Sequence, residues 1–232
     1  IITAGYNLLP FLTLLELNSI FDLADEQSQK VRPILDSWLE WHRANHLPRY
    51  VVKLEEWEKL VLQDLTPAQF CKEVEVIRTF TNESVEKFIP ALIPIAETLT
   101  TVQIQNWNKY QDERDKEFVE NFSKGEKGEI INKKRLERSI DRAEMFYGTL
   151  TKSQKDALAK RLEKSLFNVE QVLPERKRRH LDALNAVKLV QSGAKPYPTL
   201  KAVWDRNQKS PDKKYEAYSE KMLQDGCSQL SE

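Results

Sequence analysis

The sequence predicts an all-α protein, an elongated multi-helix bundle with Pro-kinked helices and no sheet. Three observations carry this. Apolar residues recur at spacings of three and four almost everywhere, while the alternation of a half-buried strand is absent. Only six glycines are spread over 232 residues, too few for tight hairpins or phosphate-cradling loops. Lys, Glu, Leu and Gln dominate, and these residues favour helices.

A short N-terminal helix comes first, and helices follow near 23–45, 48–63, 66–88, 90–98, 100–123, 128–148, 151–191, 197–207 and 212–226. The first is the most apolar, but its run from Leu8 to Leu17 is broken by Pro10, Thr13 and Glu16 and is too short to span a bilayer. Leu35, Trp38, Leu39 and His42 share one face. Leu54, Trp57 and Val61 share another, as do Val74, Ile77, Phe80 and, in part, Phe88. Leu158, Leu162, Leu166 and Val169 continue the pattern. Most breaks fall at proline, whereas Pro33 and Pro174 lie inside helical stretches and predict kinks or short interruptions. Residues 123–128 read as a turn. Gly193 followed by Pro196 and Pro198 marks the clearest loop. No low-complexity linker divides the chain, so residues 1–232 read as one helical domain; two packed halves, about 1–98 and 99–232, are the alternative.

A start signal recurs as Leu65-Thr66-Pro67-Ala68-Gln69, Leu99-Thr100-Thr101-Val102-Gln103 and Leu150-Thr151-Lys152-Ser153-Gln154, with a degenerate copy at Leu23-Ala24-Asp25-Glu26-Gln27. Thr at the N-cap accepts a bond from the first turn, and Gln three residues on reaches back to the cap. Each copy stabilises its helix start by about 1 kcal/mol. The element also marks the Spy/CpxP-like periplasmic chaperones, which the chain resembles in this element alone.

A second resemblance covers nearly the whole chain. Ala4-Gly5-Tyr6-Asn7, Phe21-Asp22-Leu23, Asp25-Glu26-Gln27, Trp38-Leu39-Glu40-Trp41-His42-Arg43 and Leu47-Pro48-Arg49-Tyr50 come in that order. Trp107, Glu117-Phe118, the stretch from Arg135 to Phe146 and Leu150-Thr151 to Cys227 follow more loosely. This pattern resembles a family of uncharacterised all-helical proteobacterial lipoproteins. The resemblance implies a signal peptide and a lipid-bearing Cys upstream of Ile1, hence a periplasmic protein anchored to a bacterial membrane, the outer one first. It implies no activity and no catalytic residues. Both methionines are internal, which fits a removed leader or a missing start, and 227–232 carry no helix stop.

Lys and Arg number 36 against 36 Asp and Glu, so the total charge points to no polyanion. The basic clusters Arg176-Lys177-Arg178-Arg179 and Lys133-Lys134-Arg135 have acidic neighbours and no interleaved aromatics. They read as a solvated helix face or a contact with anionic lipid headgroups, and no nucleic-acid partner is expected. His42 and His46 stand four apart, a zinc-compatible spacing, but no Glu directly follows His42 and no third ligand is near. A capping or packing role is the expectation, with no metal and no cofactor. His180 follows the basic run and reads as solvent-facing. Cys71 and Cys227 either form a disulfide, possible only in an oxidising compartment, or behave as separate small hydrophobes.

No nucleophile–base pair stands out, and no acidic pair is singled out for hydrolysis. The expectation is a non-enzymatic protein that binds a protein partner in the cell envelope, chaperone-like or as an accessory subunit. A structural spacer and an undetected helical hydrolase are the alternatives. Candidate contact residues are Leu8, Phe11, Leu12, Trp38, Trp41, His42 and Arg43. The N-terminal segment is apolar nearly all round, so the chain or a partner must cover it; covering by the chain is the expectation. Trp38, Trp41 and Tyr50 are expected to pack on the N-terminal helix about Tyr6 and Leu9.

Overall fold

The computed structural model describes residues 2–60, 62–123 and 133–231, and every regular element among them is helical. The helices are α1 (Ile2–Asn7), α2 (Leu9–Phe21), α3 (Asp25–Asn45), α4 (Leu47–Leu60), α5 (Pro67–Thr98), α6 (Thr101–Phe122), α7 (Lys133–Tyr147), α8 (Lys152–Lys164), α9 (Val169–Gln191), α10 (Pro196–Gln208) and α11 (Lys213–Ser231). Val61 and most of the expected turn at 123–128 lie outside the described residues.

Three boundaries differ from the sequence expectation. The N-terminal helix is two, α1 and α2, because Pro10 has no N–H to give Tyr6 and its ring crowds that carbonyl. The expected helices at 66–88 and 90–98 are one, since α5 runs through Pro90 and Pro94. Tertiary burial of Ile89, Ala91, Ile95 and Ala96 around those prolines outweighs their helix penalty, and the Thr98 hydroxyl donates to the Pro94 carbonyl at 2.6 Å. The expected helix at 151–191 divides instead into α8 and α9. There Phe167 packs with Phe118 and Phe122, and Asn168 caps α9 by accepting from the Glu170 N–H at 2.8 Å. Pro33 and Pro174 interrupt nothing.

Helix α5 is the central strut, touching α3, α9, α10 and α11. The core gathers on its C-terminal half, where Ala91, Ile95, Ala96 and Leu99 meet Leu17, Leu23, Val31, Leu35, Val187 and Val190. Its N-terminal half is tied to α11 by a Cys71–Cys227 disulfide with Cα atoms 5.5 Å apart. Helices α7 and α8 pair as a hairpin against α6.

Thr66, Thr100 and Thr151 all sit at N-caps with extended backbone, each accepting from the N–H of the Gln three residues on. Ala24, the degenerate cap, has no side-chain oxygen, so only the glutamine half of its box forms. Two of the four boxes are local and exposed, but those of α3 and α6 are fused. Gln27 and Gln103 are buried and bond reciprocally, Gln103 Nε2 to Gln27 Oε1 at 2.7 Å and Gln27 Nε2 to Gln103 Oε1 at 3.2 Å. Each amide oxygen also accepts from its own cap, the Ala24 N–H at 2.9 Å and the Thr100 N–H at 3.0 Å. The remaining donors reach Thr98 O and Oγ1 from Gln27, and Asp22 O from Gln103. Four helix ends, those of α2, α3, α5 and α6, thus close on one amide pair.

Gln103→Ala should destabilise by about 1–3 kcal/mol, because it strands buried donors and acceptors. Thr151→Ala, at an exposed cap, should cost about 1 kcal/mol. Urea denaturation of both variants checks the ordering. Reduction of Cys71–Cys227, which joins residues 156 apart in sequence, should lower stability by about 2–5 kcal/mol, read as a drop in the urea midpoint.

Candidate functional site

The signature stretch of α3 and α4 folds into one aromatic cluster. Trp38, His42, His46 and Tyr50 are each four apart, and the helical bonds continue across the junction, from His46 N to His42 O at 2.8 Å and from Tyr50 N to His46 O at 2.9 Å. The four rings therefore lie one above another. Trp38 stacks on His42 and His42 on His46, each with centroids 5.1 Å apart, and Tyr50 meets His46 edge-on at 5.6 Å. Helix α5 closes the far side with Phe80, Glu83, Ser84 and Phe88. Phe80 meets Tyr50 at 5.1 Å, Phe88 meets Trp38 at 5.9 Å, and the Ser84 carbonyl accepts from Trp38 Nε1 at 3.0 Å.

A chain of polar contacts threads these rings. Tyr6 Oη lies 2.9 Å from His42 Nδ1, His42 Nε2 lies 3.2 Å from Tyr50 Oη, and Tyr50 Oη lies 3.0 Å from His46 Nδ1. His46 Nε2 faces Glu83 Oε2 at 3.3 Å, and Glu83 is paired with Arg49. Glu83 already accepts from Arg49 and His46 Nε2 makes no hydrogen bond to it, but a ring nitrogen facing a carboxylate favours the proton there, which sets the direction. His46 is neutral with its proton on Nε2, Tyr50 donates to His46 Nδ1, His42 Nε2–H donates to Tyr50, and Tyr6 donates to His42 Nδ1. Burial holds both histidines below the ordinary imidazole value; His46 adds to this for His42, and Arg49 for His46, while Glu83 pulls His46 back up. Burial raises both tyrosines, so their hydroxyls stay protonated.

The cluster is closed. His46 is 0% exposed and His42 9%, and their nitrogens are turned onto hydroxyls and the Glu83 carboxylate rather than an open cleft. Among the described residues no three His, Cys, Asp or Glu converge as metal ligands. Trp38 turns towards α5 rather than onto the N-terminal helix as expected, and Trp41 packs against His46 with Lys87 over its ring. The N-terminal link runs instead through His42 to Tyr6 and through Arg43, which donates to Asn7 at 2.9 Å and covers the Tyr6 ring.

The other candidates form a separate surface. Leu8, Phe11, Leu12 and Leu15 follow i, i+3, i+4, i+7 spacing on α2 and are 48–51% exposed. The opposite face supplies Leu14, Leu17 and Phe21 to the core. The expectation that the chain wraps this helix is met on one face only, because α3 and α6 flank it on that side. A groove of about 250 Å³ lies between α4 and α5, lined by Trp57, Leu60, Leu65, Phe70, Val74 and Ile77, with Glu73 at its edge. Glu73 accepts from Trp57 Nε1 at 2.7 Å and pairs with Lys53, also at 2.7 Å.

The three arginines of the basic run are paired within the fold, while Lys177 is exposed as the solvated-face reading expects. Arg176 pairs with buried Asp115 at 2.8 Å. Arg178 and Arg179 pair with Glu175, which is 4% exposed and also accepts from Ser210. Arg176 fastens α9 to α6, Arg178 also donates to the Arg206 carbonyl of α10, and Glu175, held by Arg178 and Arg179, ties α9 to Ser210 before α11. In the second cluster, Arg135 donates to Ser165 and covers the Phe167 ring. His180 likewise points inward, 2.8 Å from Asn108 Oδ1 and edge-on to Trp107. Sequence reasoning missed Glu83 and Phe80 in the cluster, for which no local signal exists. Leu15 was legible from the spacing that included Leu8, Phe11 and Leu12.

Tyr50→Phe removes the hydroxyl shared by both histidines and leaves two buried ring nitrogens without a partner. It should cost about 1–3 kcal/mol in urea denaturation, whereas an unchanged midpoint would show the chain to be energetically idle.

No match was found among curated proteins or among solved structures. Residues 19–221, which hold α3 to α10 and the whole cluster except Tyr6, match the profile of a family of unknown function (DUF6279), and the chain belongs to that family.

Proposed function

We propose that this protein is a non-enzymatic periplasmic lipoprotein that binds a protein partner of the cell envelope through the outer face of α2, as a chaperone-like module or an accessory subunit. The observation that carries this reading is the stripe Leu8, Phe11, Leu12 and Leu15, half-exposed on a helix whose other face is already in the core. Four such side chains present on the order of 300–400 Å², the size of the largest apolar patch on an ordinary monomer, which is often functional. The partner surface is correspondingly apolar, such as the hydrophobic face of a helix or an unfolded segment.

One observation supports the compartment and one weighs against catalysis. The Cys71–Cys227 disulfide fits an oxidising environment such as the periplasm. No described helix is long and apolar enough to cross a membrane; the lipid anchor of this reading rests on the lipoprotein resemblance alone. The buried histidines that a hydrolase reading would recruit face tyrosine hydroxyls and the Glu83 carboxylate within the cluster, and His46 has no exposed surface. A spacer with a uniformly charged exterior does not account for the α2 stripe.

The test is suppression of aggregation of a chemically unfolded client by the purified, disulfide-intact protein. The wild type should delay aggregation at near-stoichiometric ratios, and Phe11→Glu with Leu15→Glu should abolish the delay while changing stability by less than about 0.5 kcal/mol per site, as for exposed positions. Equal activity of wild type and double variant would remove α2 as the binding face. Turnover of any substrate class, abolished by a single carboxylate or histidine substitution, would overturn the non-enzymatic reading.

A further inference from the structure

We propose that the Tyr6–His42–Tyr50–His46–Glu83 chain is a proton-operated latch that holds α4 against α5 at neutral pH and releases it when both histidines are charged. The proposal does not depend on the identity of any partner, because it concerns how one helix is fastened.

Helix α4 contains no buried residue. Its fastenings to α5 include Tyr50 within the ring cluster, Arg49 paired with Glu83 and lying over the Phe80 ring, and Lys53 and Trp57 on Glu73. Tyr50 is the only one of these that bonds to both histidines, and its hydroxyl has one proton to give. With both rings neutral, the two hydroxyls and three of the ring nitrogens are bonded to complementary neighbours, and His46 Nε2 faces the Glu83 carboxylate at 3.3 Å without a hydrogen bond. A first proton is absorbed by turning hydroxyls. On His42 it reverses only the Tyr6 contact; on His46 it reverses the contacts of Tyr50, His42 and Tyr6, while Nε2–H still faces Glu83. A second proton cannot be absorbed. Tyr50 Oη then meets N–H donors from both rings, at 3.2 and 3.0 Å, and its own proton faces no acceptor in the chain. Two imidazolium rings would also be stacked at 5.1 Å, in a site where His46 has no exposed surface.

The surrounding charges set the pH range. Arg43 sits over Tyr6 on the α1 side, Lys87 over Trp41, and Arg49 next to Glu83, so cations border the cluster on three sides. Among the described residues Glu83 is the carboxylate paired with either ring, and Arg49 favours its ionised form. The docked state lowers the affinity of both histidines for protons, so it binds fewer protons than the released state. Docking is therefore complete above about pH 6.5, the ordinary imidazole value, and weakens as the pH falls below it. Release uncovers Phe80 and the apolar lining of the groove, chiefly Trp57, Phe70 and Val74.

Hydrogen-exchange protection factors, corrected for intrinsic rates, test this on the disulfide-intact chain at pH 7.5 and 5.0. Protection of amides 51–60 should fall at least tenfold at the lower pH, while amides 186–190 of α9 stay unchanged. The fall should vanish in His42→Gln/His46→Gln and persist in His180→Gln, the control for the third histidine. Equal protection of 51–60 at both pH values, or a fall that survives in the double variant, would overturn the latch. Should the double variant not fold, NMR titration of the wild-type histidines decides. Coupled titration of His42 and His46 below pH 6.5, with α4 signals changing alongside, supports the proposal. Independent titration at the ordinary value, or titration that leaves α4 signals in place, rejects it.

Discussion

The reciprocal amide pair Gln27–Gln103 is the constraint on which the arrangement of the core depends. Helix termini leave backbone donors and acceptors unsatisfied, and burying them without partners is costly. Here two N-termini and two C-termini converge, with Asp22, Ala24, Thr98 and Thr100 at the surface, and two buried side-chain amides satisfy a group from each. Leu23 and Leu99, the residues just before the caps, lie in the core beside the pair. The α2–α3 and α5–α6 corners are thus locked to each other, which fixes α2 against α3 and α6 and leaves its outer face free. A locked corner turns an apolar helix into a presented surface.

From that corner the molecule divides energetically. The C-terminal half of α5 is surrounded by apolar side chains from α2, α3 and α9, whereas its N-terminal half is held by polar and covalent fastenings. Those are the disulfide to α11, the Glu73 pairs to α4, and the ring cluster about His46. Apolar packing is nearly indifferent to pH, while stacked histidines are not. The two halves of one helix therefore respond to different conditions, and the groove between α4 and α5 lies on the responsive half.

Charge in this protein serves assembly more than surface potential. With equal numbers of acidic and basic residues, local pairing decides where charge is seen. Glu175 draws Arg178 and Arg179 inward, and Asp115 takes Arg176. Burying such carboxylates is tolerable because each accepts bonds from guanidinium groups, and losing one partner would leave an unpaired buried charge. The densest basic run in the sequence is consequently a fastening rather than a docking site.

Local chemistry was readable from the sequence. Helix periodicity and scarce glycine determined an all-α fold, and Thr-x-x-Gln determined three helix starts, because an N-cap is satisfied within four residues. The i, i+4 spacing placed His42 and His46 on one face for the same reason. Proline was less decisive. Pro10 ended a helix, but Pro90 and Pro94 did not, since burial by distant helices outweighed the local penalty. Only the tertiary structure decided that Gln27 and Gln103 bond to each other, that Cys71 meets Cys227, that Glu83 completes the histidine chain, and that the arginine run faces inward. The first three join residues at least 37 apart in sequence, and Arg176 reaches Asp115 across 61, where no spacing rule extends; the pairs of Arg178 and Arg179 with Glu175 lie within one turn, and what the sequence hid is that Glu175 is buried. The apolar excess of α2 was visible in its residues, but which face the core would take depended on where α3 and α6 came to rest.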